Sequence, residues 1–250
     1  MKSLTLFALV FGGALIFVAC KDDEVVVCED NPNYLNITVQ PVFDAENLYL
    51  DSVYATAEGY DVKFSDIKFY MEDVKNGSSN LIDAALFDYR SRGTLLLNTV
   101  GTPDGFGSLT ANLGVQSLIN HNDPAAFLNT SMLNIVNSND MHWGWNPGYI
   151  FVKVEGKVDT IQDGIPLFNH NVVFHIGKDE NLQLLSFSNL NWQSTGVDYT
   201  LPLKLDMALF LQNGAETIDL KNEYSSHTAA GQEALSMKVI SNFRNAITVL

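Results

Sequence analysis

The chain is 250 residues long and carries 14 basic against 29 acidic side chains, a formal net charge of −15. A surface of that sign repels phosphate backbones and anionic headgroups, which argues against nucleic acid as a partner. Hydrophobic residues make up 46% of the chain and charged ones only 17%, so the acidity belongs to a folded body and not to a disordered tail.

In chain order, the first feature is a leader. Lys2 gives a short positive start, and residues 4–18 form an apolar run broken only by small or polar residues. A run of about 7–15 apolar residues reads as the h-region of a secretory signal, too short for a spanning helix of about 20. Phe17-Val18-Ala19-Cys20 places a small residue directly before a cysteine and resembles the lipobox of bacterial lipoproteins. On that reading residues 1–19 are removed and Cys20 carries lipid, as an outer-membrane anchor on the cell surface or the periplasmic face. The polar stretch Lys21-Asp22-Asp23-Glu24 resembles the surface-export signal of Bacteroidetes lipoproteins. No later apolar run reaches spanning length, so the lipid is the expected anchor. The two cysteines are Cys20 and Cys28; with the first lipidated, the second has no partner in its own chain. A disulfide framework is thereby excluded, and Cys28 either pairs between molecules or stays inert.

Residues 20–33 read as a flexible tether ending at Asn31-Pro32-Asn33. Residues 34–250 read as one all-β domain, because no Pro/Gly/Ser-rich linker divides them. Tyr34-Leu35-Asn36-Ile37-Thr38-Val39 alternates with period two and is rich in β-branched residues, as a half-buried strand should be. Val62, Phe64, Ile67 and Phe69 mark a second strand whose alternation breaks at Ser65-Asp66, which predicts a bulge or bend there. Asn76-Gly77-Ser78-Ser79 is a turn signal, and strand patterns follow at 80–83, 94–97, 107–113, 149–156, 172–177 and 200–207. Pro202 predicts an edge position for the last of these. Strands at this spacing predict a β-sandwich. Short helices are expected within 115–128, and another near the C-terminus from 229–235 and the following 239–246. Residues 115–146 form a long connection rich in Asn, Asp and Ser, of the kind that usually carries function.

The chemistry concentrates in Asp140-Met141-His142-Trp143-Gly144-Trp145-Asn146-Pro147-Gly148-Tyr149. Thioether and imidazole together suit copper, above all Cu(I), better than Mg or Ca. Against that, Trp143 and Trp145 lie two apart and share one face of an extended segment, so both also fit a role as core-capping aromatics. His175, flanked by Phe174 and Ile176, is either a hydrogen-bonded strand residue or a ligand. His121, His170 and His227 read as turn or loop residues. No nucleophile motif, cofactor fingerprint or paired carboxylates occur, so the chain is not expected to be an enzyme.

Four segments in order resemble the MbnP-like copper-binding lipoproteins. The most specific runs from Met141-His142-Trp143-Gly144-Trp145 through Gly148-Tyr149 to the strand ending at Glu155-Gly156. The others are Phe174-His175-Ile176-Gly177, the early strand Ile67–Val74, and Leu113-Gly114-Val115-Gln116-Ser117. The resemblance implies copper binding by histidines, for uptake or storage. It also implies a tryptophan oxidised to kynurenine by a dihaem peroxidase-like partner. His175 is then the first ligand to expect, His142 and Met141 come second, and Trp143 or Trp145 is the indole to expect modified. One departure stands out: many relatives carry a histidine where this chain has Asn80, a poor copper ligand. The competing expectation is a surface module of the same fold that binds a protein or glycan without metal.

Overall fold

The alternation of residues 34–39 becomes a strand in which Leu35, Ile37 and Val39 are buried while Asn36 and Thr38 keep partial exposure. The structure, a computed structural model, describes residues 32–250 except 145–147, 166 and 215. The leader, Cys20, Cys28 and Trp145 thus lie outside the described residues. The strands are β1 (Tyr34–Phe43), β2 (Asp61–Asn76), β3 (Ser79–Asp88), β4 (Leu95–Val100), β5 (Ser108–Leu113) and β6 (Ile150–Asp159), then β7 (His170–Gly177), β8 (Gln183–Ser188), β9 (Tyr199–Asp206) and β10 (Ile247–Val249), with two-residue pieces between them. The helices are α1 (Tyr89–Arg92), α2 (Ser117–Asn120), α3 (Met207–Leu211) and α4 (Glu233–Ala246).

Two sheets result. In the smaller, β1 pairs parallel with β9 and antiparallel with β4, and β10 adds to the far side of β9. The larger runs β8-β5-β2-β6-β7, with β3 along the second half of β2 and Ser225–Ser226 parallel to β7. This is the all-β, sandwich-like fold that the strand spacing predicts. Aromatic rings bind its core: Phe69 of β2 meets Phe87 of β3 at 5.0 Å and Phe243 of α4 at 5.5 Å between centroids. Phe210 of α3 lies 5.6 Å from Phe243 and 6.2 Å from Phe174 of β7. Edge-on and tilted arrangements of this kind add to the gain from burial.

Two expectations about elements need correction. Pro202 does not lie on an edge strand, because β9 has neighbours on both sides. The proline falls between its two partners on one side, Gln193–Ser194 and β10, where its carbonyl accepts from Leu250 N at 3.1 Å. A missing N–H is tolerated in that gap, as it is at an edge. The C-terminal helix, expected from Ala229, begins at Glu233 and runs unbroken to Ala246 as α4. Strands β8 and β10 and helix α3 have no counterpart in the sequence reading.

The long connection between β5 and β6 covers the outer face of the larger sheet. Tyr70, on β2, donates its hydroxyl to Met132 O at 3.1 Å, and Tyr149 donates to Leu133 O. Glu72 accepts from Asn112 and from Gln116, both at 2.6 Å. The asparagines that dominate the connection bond its own backbone: Asn134 donates to Phe127 O at 2.6 Å and accepts from Val136 N at 3.0 Å, and Asn137 donates to Asn129 O and Ser131 O at 2.7 Å. Segments without ladders need such partners for their buried amides and carbonyls.

Candidate functional site

The β2 bulge sets up the outer face of the larger sheet. Pairing with β6 runs Phe64↔Gly156, then Asp66↔Glu155, so Ser65 is the extra residue that the broken alternation predicts. Past the bulge, Ile67 and Phe69 return to the core while Asp66 and Lys68 line up on the outer face. Gly156 is required opposite the bulge, since a Cβ there would collide with the Lys63 backbone carbonyl. That accounts for the glycine of the Glu-Gly motif.

A row of alternating charges crosses this face. Lys68 Nζ lies 3.8 Å from Asp88 and 3.2 Å from Asp66, and Lys153 Nζ lies 3.4 Å from Asp66 and 3.3 Å from Glu155. Lys68 also donates to Asn139 O at 3.2 Å, and Asn139 donates its side-chain amide to Asp88, which ties the row to the connection. Asp66, Lys68, Asp88 and Lys153 are no more than 8% exposed, and each has an opposite charge at hand, as buried charges require. Burial works against the charge on Lys153, but Glu155 and Asp66 outweigh it and hold its pKa above the ordinary value.

The row ends at histidine. His175 Nε2 is 2.7 Å from Glu155 Oε1. Burial lowers the His175 pKa, against the opposing pull of Glu155, which favours a neutral ring. Burial also tends to raise the Glu155 pKa, yet the His175 hydrogen bond and Lys153 together bring it below its ordinary value. The His227 ring stands 4.9 Å from the His175 ring, nearly perpendicular at 79°. Its place follows from register: Ser225 pairs with Val173 and Ser226 with Phe174, so residue 227 comes level with residue 175. Thr228 then donates to His175 O at 3.2 Å and accepts from Gly177 N at 3.2 Å.

Trp143 joins from the other side. A Cβ on Gly177 would come within 2.7 Å of the Trp143 indole, so the ring lies directly over that glycine. Residues 175 and 177 share the outer face of β7, about 7 Å apart. The indole packs against the core and is half-buried, as a capping aromatic would be, and it sits over the residue two places along β7 from His175. Its segment is pinned by Asn120, which is fully buried, accepts from Tyr149 N at 2.8 Å and donates to Asp179 at 2.8 Å. Asp179 also takes the Ser117 hydroxyl at 2.5 Å and lies 3.0 Å from His121 Nε2.

The other expected ligands have different surroundings. Met141 is fully buried in the hydrophobic core. His142 follows it and meets the Tyr149 ring edge-on at 4.6 Å, with Nδ1 accepting from Gly144 N at 2.9 Å. Its Nε2 is buried without a partner among the described residues, and burial lowers its pKa. None of the ring or hydrogen-bond contacts of Met141 or His142 involves His175. Asn80 pairs with Lys75 near the β2–β3 turn and donates to Asp83 at 2.7 Å. His175 is instead level with Lys153 and hence with Lys68, seven residues back along β2, a separation of roughly 20 Å. A histidine at position 80 would therefore lie far from His175, and its absence leaves the His175 site untouched.

Sequence reasoning missed His227. The signal was slight: Tyr224-Ser225-Ser226-His227 has no apolar alternation, and its ladder to β7 is two residues long. Among the described residues, no three His, Cys, Asp or Glu side chains form a set that would hold a metal ion. The arrangement offers two imidazoles, a carboxylate already bonded to one of them, and an adjacent indole. Imidazole donors suit copper, zinc, iron and nickel, so the pair fits copper in donor chemistry.

The family model MbnP matches residues 32–230. MbnP from Methylosinus trichosporium is a similar solved structure, at 14% identity and a TM-score of 0.48, covering 87% of this chain and 98% of that one. No curated protein matches the sequence. With the family model spanning most of its length, including β7, His227 and the Trp143 segment, the chain belongs to the MbnP family.

Proposed function

We propose that this protein is a membrane-anchored, extracytoplasmic lipoprotein that binds copper through His175 and His227, for uptake or storage, with no catalytic role of its own. The observation that carries the reading is the pair of imidazoles, 4.9 Å apart between ring centroids, at the strand whose Gly177 the Trp143 indole covers. Bound copper would supply a soft, redox-active cation, while the chain's own part is to present two imidazole nitrogens from a strand and its parallel neighbour. Trp143, packed over Gly177, is the indole expected to be oxidised to kynurenine by a dihaem peroxidase-like partner.

Protein isolated from its native host tests both halves. The reading expects copper retained after dialysis and a peptide containing Trp143 heavier by the exchange of one carbon for one oxygen. A metal-free protein with Trp143 and Trp145 both unmodified overturns it. A second reading, a surface module for a protein partner, draws on the exposed Leu118, Leu128 and Val136 of the connection, which are 85%, 78% and 72% accessible. Under that reading, charged substitutions at these three residues abolish partner capture and leave copper content unchanged.

A further inference from the structure

We propose that Glu155 is the positioning residue of the histidine pair: it holds His175 in the Nε2–H tautomer and so makes Nδ1 the nitrogen that faces an incoming metal ion. The metal half of this rests on the copper reading above; the tautomer half does not.

Three observations lead to it. First, Glu155 Oε1 lies 2.7 Å from His175 Nε2. An ionised carboxylate only accepts, and a neutral imidazole has one N–H, so the proton must sit on Nε2 and the lone pair on Nδ1. Second, no hydrogen bond to Nδ1 is found among the described residues. Nδ1 is also absent from the buried atoms that lack a partner, which are Asp66 Oδ1, His142 Nε2 and Asn181 Oδ1. With Nε2 committed to Glu155, Nδ1 is the ring nitrogen left to accept or to ligate. Third, Glu155 is itself held: Lys153 lies 3.3 Å from the same oxygen, and Lys153 is fixed in turn by Asp66 at 3.4 Å. Beyond Asp66 the row continues through Lys68 to Asp88 and the connection at Asn139. An isolated surface pair between two strands would need none of this support. A carboxylate that orients a ligating imidazole does, because its value lies in fixing the ring.

The inference also gives the Lys153-Val154-Glu155-Gly156 stretch a purpose. Lys153 and Glu155 alternate onto the outer face, Val154 fills the core, and Gly156 admits the bulge that brings Asp66 between the two lysines.

Long-range proton–nitrogen NMR of the full chain, above neutral pH and without metal, reads the His175 tautomer directly. Wild type should show Nε2 protonated and Nδ1 bare. Glu155→Leu should give a mixture of tautomers, Glu155→Gln, which keeps an acceptor oxygen, should restore part of the preference, and His227→Ala should leave it unchanged. Wild type with the proton on Nδ1, or Glu155→Leu with the preference intact, overturns the proposal. Should Glu155→Leu fail to fold, a Glu155→Gln protein with no weakening of the preference overturns it as well. Cu(I) titration of the same proteins judges the metal half. Affinity should fall about 10- to 100-fold in Glu155→Leu, and an unchanged affinity overturns Glu155 as a positioning residue for the ion. A wild type that binds no Cu(I) while showing the expected tautomer sinks the copper reading and leaves the hold of Glu155 on His175 standing.

Discussion

Gly177 has no room for a side chain. A Cβ there would meet Tyr149 O at 2.5 Å and the Trp143 ring at 2.7 Å, so Gly177→Ala must push the indole off β7. The expected cost is about 1–3 kcal/mol, read from the denaturant midpoint, together with a displaced Trp143 indole N–H resonance; an unmoved resonance contradicts the placement. Asn120 works from the opposite flank of the same segment. Asn120→Ala leaves the buried Tyr149 N–H without its acceptor and takes from Asp179 one of its donors, a loss of about 1–3 kcal/mol. Faster hydrogen exchange at the Tyr149 amide is the sign to look for. Glu72 is a carboxyl only 1% exposed. Burial raises its pKa against the opposing hydrogen bonds of Asn112 and Gln116. The folded state therefore holds that proton to higher pH than the unfolded chain does. Its contribution makes the protein less stable as pH climbs from the ordinary carboxyl value through the raised one. Glu72→Gln should flatten the stability–pH curve across that window, and an unaltered slope refutes the assignment.

Among the elements, β2 carries the most weight, since β3, β5, β6 and the short piece Tyr54–Ala55 all pair with it, and its Phe69 holds the ring cluster together. Phe69→Ala removes the contacts to Phe87 and Phe243 at once and should cost about 3–5 kcal/mol, measurable by chemical denaturation. The same strand shows what the sequence made legible. The spacing of Val62, Phe64, Ile67 and Phe69 contains the bulge, because a core-facing side chain every second residue leaves no other way to absorb Ser65. Pro202 misled because a gap between two partners spares an N–H as well as an edge does. His227 was out of reach for a different reason: its meeting with His175 depends on a parallel ladder between segments some fifty residues apart, and local pattern carries no information on such pairings. Trp143 and His175 lay in recognisable motifs, yet their shared face emerges only once β6 and β7 are paired.

For the whole molecule, the expectation with the widest consequence is the lipid anchor. Cys20→Ser should move the protein from the membrane fraction to the soluble extracytoplasmic fraction without altering the fold of residues 34–250, because acyl chains contribute about 0.8 kcal/mol per buried methylene. Continued membrane association of that variant contradicts the anchor. The acidic surface, at −15 for the full chain, favours cations near the protein and suits metal capture more than binding of anionic polymers.

Whether the imidazoles of His175 and His227 form the copper site is decided by competitive Cu(I) titration of His227→Ala beside His142→Ala. Losing His227 should weaken binding by more than about tenfold, as losing one of few ligands must, while losing His142 should leave it unchanged. Full affinity in His227→Ala, or a collapse in His142→Ala alone, would contradict it.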